Sequence, residues 1–131
     1  MPELQPPDTH HLSAAIGWLE LGNPAEAGEE IAKVSAPFLQ HPDVLEARWQ
    51  VCTAGQSWDA ALAVAELLVR LAPERASGWI HRAYAARRAK GGGLQAAWEA
   101  LRPAWEKFPK SEVIPYNLAC YAAQASRLDE A

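Results

Sequence analysis

The chain has 131 residues, half of them apolar and 21% charged, which suits one folded domain and excludes a disordered one. Its formal net charge of −4 argues against wholesale binding to nucleic acid. Cys52 and Cys120 stand far apart in Ala- and Val-rich surroundings, which indicates buried reduced thiols rather than a disulfide framework.

Residues 1–7, MPELQPP, hold three prolines and few apolar side chains, so a flexible leader is expected. They show no basic region and no apolar run, so no signal peptide is read there. No apolar stretch approaches a membrane span, and a cytoplasmic location without membrane partners is expected. Asp8 or Thr9 is placed to cap a first helix carrying Leu12, Ala15, Ile16, Trp18 and Leu19. Gly22-Asn23 ends it. Asn23-Pro24-Ala25-Glu26 then reads as a helix start, with Asn as N-cap and Pro at the first position. The second helix carries Ala27, Ile31, Val34 and Phe38, with Pro37 disturbing its end.

From Pro42 a second segment runs to Arg75. Ser57 is expected to cap the helix with the stripe Leu62, Ala65, Leu68, Val69 and Ala72. The stretch Ala76–Pro109 is the most regular. Trp79, Ala83 and Ala86 form a narrow apolar stripe before Gly91-Gly92-Gly93. A triglycine has no place inside a helix, so it marks a turn. Leu94, Ala97, Trp98, Leu101, Ala104, Trp105 and Phe108 then recur at helical spacing, and Pro103 is expected to kink that helix. Ser111 is placed to cap a further helix over Ser111–Ala125, and another helix is expected to begin near Leu128.

These parts resemble the tetratricopeptide repeat, a helix–turn–helix unit. The resemblance rests on Trp79, Ala83, the turn at Lys90–Gly93, Leu94, Ala97, Leu101, Ala104 and Pro109. Trp58, Ala61 and Pro73 match in the preceding unit, and Leu118, Ala119, Ala122, Leu128 and Ala131 in the following one. Trp18 and Ala27 stand at matching places in a degenerate first unit. Trp49 departs from the pattern, which has a small residue there. The resemblance implies an all-α, right-handed solenoid of about three and a half antiparallel helix pairs. Its repeats would be 8–41, 42–75, 76–111 and a partial 112–131, in one domain over 8–131.

Nothing in the sequence assembles a catalytic constellation, so no enzyme, cofactor or metal is expected. The glycine run lacks the Gly-Lys-Ser/Thr sequel of a phosphate loop. His10 and His11 are adjacent, so on a helix they point about 100° apart and do not share an ion. His41, before Pro42, is expected in an exposed turn. Trp79 is expected in the core.

The resemblance further implies a concave groove lined by the first helix of each pair. On that register the partner-binding residues are Glu46, Gln50, Ile80, His81, Tyr84, Arg87, Arg88, Tyr116 and Asn117. Leu12, Ile16, Leu19, Asp43, Thr53 and Cys120 extend the same face. Arg87 and Arg88 can hold a carboxylate, and Asn117 can bond a peptide backbone. Leu12 and Ile16 stand near the places of the Lys and Asn clamp of chaperone-binding members, which disfavours that partner class. The expected function is a protein-interaction scaffold that takes a partner segment. The alternative is a self-assembling structural module. Its motives are the apolar face of the last expected helix, the many Trp, and charge asymmetry: residues 1–65 hold two basic and nine acidic residues, residues 66–131 ten basic and seven acidic.

Overall fold

The computed structural model describes the backbone of residues 2–130 and the side chains of residues 2–126. Every regular element among them is helical. The helices are α1 (Asp8–Glu20), α2 (Pro24–Ala32), α3 (Pro42–Ala54), α4 (Trp58–Leu71), α5 (Ala76–Arg88), α6 (Leu94–Leu101), α7 (Ala104–Lys107) and α8 (Val113–Glu130). A single 3-10 turn covers Ala36–Phe38. The chain divides into two compact units, Met1–Ser57 and Trp58–Ala131. The division falls inside the expected 42–75 segment.

In the first unit, α1 and α2 form a hairpin and α3 packs on both. The link obeys local chemistry. Asn23 Oδ1 accepts from the Glu26 N–H at 3.2 Å, and Pro24 opens α2 as expected. Asp8 is not a cap. Pro7 takes that place, and Asp8 is the first helical residue. Its Oδ1 accepts from the Ser35 N–H and hydroxyl, each at 3.0 Å, which ties the start of α1 to the chain beyond α2. A carboxylate in a first helical turn also suits the helix dipole. Leu4 packs against the core, so the leader is anchored there. Helix α2 ends at Ala32, well before Pro37, which sits in the 3-10 turn.

The core of this unit is Ala15, Ala27, Ile31, Val34, Val44 and Ala47, with Leu12, Trp18 and Leu19 packed against it. Leu45 is also fully buried, and Trp49 is buried. Sequence reading had not singled out Val44 or Leu45. His41 overturns its expectation, being only 7% exposed. It is the N-cap of α3, and its Nδ1 accepts from the Asp43 N–H at 3.1 Å. On α2, Glu30 accepts from Lys33 at 3.0 Å and from His11 Nδ1 at 3.1 Å. Lys33 first and His11 second hold its carboxyl below the usual range.

In the second unit α4 packs on α5, α5 on α6, and α6 and α7 on α8. Gly78 permits the close approach of α4. A Cβ there would stand 3.2 Å from Leu68 Cγ and 3.3 Å from Val69 Cγ2. The turn between α5 and α6 needs its glycines. Gly91 has φ +78° and Gly93 φ +137°, while a Cβ on Gly92 would stand 1.8 Å from the Ala86 carbonyl oxygen. Asp59 Oδ1 accepts from the Lys90 N–H at 2.9 Å and fixes this turn to the start of α4.

The core here is Ala83, Ala97, Leu101, Ala104, Ile114, Leu118 and Tyr121. Trp79 departs from expectation. It is half-buried at the edge of this cluster, with Nε1 donating to the Pro73 carbonyl at 3.0 Å. Its N–H needs a polar partner, and the loop supplies one at the rim. Pro103 does more than kink its helix: α6 stops at Leu101 and α7 begins at Ala104. Ser111 caps α8, its Oγ accepting from the Ile114 N–H at 3.3 Å. Helix α8 then runs unbroken to Glu130, so no turn precedes Leu128. Its sequence after Pro115 has no glycine or proline to stop it. The Leu128 side chain and Ala131 lie outside the described residues.

Candidate binding surface

Basic and aromatic side chains gather on the last turns of α5. Tyr84 is 40% exposed. The Arg88 guanidinium lies over its ring, 3.6 Å from the centroid, and 5.4 Å from that of Trp58. The two rings are tilted at 5.8 Å. Arg88 Nη1 donates to the Tyr84 carbonyl at 2.9 Å. The helix spacing creates this stack, since residues four apart share a face. It holds the guanidinium against two aromatic rings, a position that favours a cation.

Helix α8 adds Tyr121, buried at 7% exposure. Burial pushes its phenol above the ordinary tyrosine value, and the nearby charges of Arg88 and Arg87 pull the other way. Tyr121 itself belongs to the core of this unit, within electrostatic reach of the two arginines. Sequence reading missed Tyr121. Its spacing of seven from Ile114 and three from Leu118 puts it on their buried face, a signal that could have found it.

The other expected residues divide. Ile80 packs against the core and is half-buried. His81 is half-buried on α5. On α8, Tyr116 is 68% exposed and Asn117 half-buried. Glu46 and Gln50 belong to the first unit, on α3, half-buried and exposed respectively.

Arg82 behaves unlike its neighbours in sequence. Its Nη2 donates to the Ala100 carbonyl at 2.7 Å, and its guanidinium lies 4.8 Å from the Trp79 ring centroid. Burial lowers its pKa, with the Glu66 charge acting against that. It joins α5 to α6 instead of facing a ligand. A separate apolar cleft lies between Trp98, Trp105, Pro115, Leu118, Ala119 and Ala122, with Trp105 48% exposed.

Among the described residues no group of three or more His, Cys, Asp or Glu side chains is placed to hold a metal ion. No described helix is long and apolar enough to cross a membrane. No family model matches the chain, and no curated protein matches it.

Proposed function

We propose that the chain is a helical-repeat interaction module of the tetratricopeptide kind, which captures an acidic segment of a partner protein. The observation that carries this reading is the stack of Arg88 on Tyr84 and Trp58, with Arg87 next to it on the last turn of α5. The Arg88 guanidinium, already held on its rings, has little conformational freedom left to lose, and with Arg87 beside it in sequence it suits bidentate recognition of carboxylates. Tyr84 and Tyr116 offer aromatic surface for the partner's apolar side chains. Asn117 supplies an amide for its backbone. Full burial of Ala83, Ala97 and Ala104 between paired helices supports the repeat register.

The role is one of binding, without chemistry on the bound segment. Fluorescence anisotropy tests it, with the full chain titrated into labelled peptides of alternating Glu and Leu or alternating Lys and Leu. The acidic peptide is expected to bind saturably and the basic one not. Equal binding of both, or of neither, contradicts the proposal.

A second reading, self-association through the second unit, is favoured by the Trp98–Trp105 cleft. An apolar surface of that kind commonly marks an interface. Light scattering across a concentration series separates it from the first, because self-association makes the mass rise with concentration.

A further inference from the structure

The first unit holds a cleft of about 490 Å³ between α2 and α3, lined by Gly28, Ile31, Ala32, Leu39, Val51 and Cys52, with Gln40 and Arg48. That volume lies in the range of small-molecule sites, about 300–1,000 Å³. Its walls are mostly apolar and its one cation is Arg48. The cleft exists because α2 places small residues, Gly28 and Ala32, opposite α3. A Cβ on Gly28 would meet only Val51 Cγ1, at 3.6 Å, an ordinary contact. Packing therefore makes no demand for glycine at a helix-interior position where glycine is unfavourable.

Arg48 is positioned at the rim. Its Nη1 makes a long bond of 3.4 Å to the Leu39 carbonyl, and no ion pair among the described residues engages it. Its other N–H groups can meet an anion. Burial pushes the Cys52 thiol up, so it remains neutral near pH 7 and serves as an apolar wall.

We propose that this cleft binds a medium-chain aliphatic monocarboxylate, its alkyl chain against Ile31, Leu39 and Val51 and its carboxylate on Arg48. The apolar walls account for the chain, and the one unmatched guanidinium accounts for the single anionic head.

The test is calorimetric titration of the full chain with decanoate below its micelle concentration, with decanol as the uncharged control. Saturable one-to-one binding is expected. Decanol, and decanoate with Arg48→Gln, should bind weaker by on the order of tenfold, as loss of a charge-assisted hydrogen bond gives. Gly28→Leu should abolish binding while circular dichroism remains that of the parent. Arg48→Lys, which keeps the charge and loses the fork, should retain intermediate affinity. Absence of saturable decanoate binding overturns the proposal. Undiminished binding to Gly28→Leu overturns the location. Equal affinity for decanol, or undiminished binding to Arg48→Gln, overturns the carboxylate pairing.

Discussion

His41 shows how a single side chain sets a helix start. Its ring accepts from the Asp43 N–H in the place usually taken by Asn, Asp or Ser. His41→Ala should lower stability by about 1 kcal/mol, the usual worth of an N-cap, and His41→Asn should recover most of it in urea titrations. Gly92→Ala should cost more, about 1–3 kcal/mol, because the turn must be rebuilt around a carbonyl that a Cβ would overlap. Gly28→Ala should act oppositely and raise stability by about 1 kcal/mol through helix propensity alone. Tyr121 gives a pH signature. A pKa raised on folding makes the folded state the stronger proton binder. Its contribution is thus full below the ordinary tyrosine value, about 10, and is lost as pH rises through the folded value. Alkaline unfolding followed by circular dichroism should show that loss, and Tyr121→Phe should reduce its slope.

Element boundaries were legible where the controlling chemistry is local. Asn23-Pro24, the triglycine and Ser111 act on their own backbone, and each stands where sequence placed it. Side chains whose role depends on a distant partner were not legible. Asp8 finds Ser35, and Arg82 finds the Ala100 carbonyl. Trp79 was read as core from its pattern, yet its indole N–H keeps it at the rim. The arginines of the candidate surface could be read from spacing, and the spacing of Tyr121 from Ile114 and Leu118 could have found it too. The break at Pro103 was legible in place but not in extent. With no N–H there, α6 and α7 cannot share a continuous ladder. Pro103→Ala should join them, seen as increased helical circular dichroism and slower amide exchange at residues 101–104.

At the scale of the whole molecule, charge is divided between the units. The first holds two basic and eight acidic residues, the second ten basic and eight acidic, for nets of −6 and +2. An acidic segment at Arg87 and Arg88 meets local positive charge on the basic unit, and salt screens that attraction, so its binding should weaken with salt. The helical class was legible from periodicity across both units. The division at Ser57 was not, because it falls between the two helices of one expected repeat. The most direct measurement is anisotropy of the labelled Glu-Leu peptide with the parent chain and with Arg87→Glu/Arg88→Glu, at low and physiological salt. Saturable, salt-weakened binding to the parent and none to the variant is expected, with identical helicity and melting for both chains. Equal binding to parent and variant would contradict the proposal.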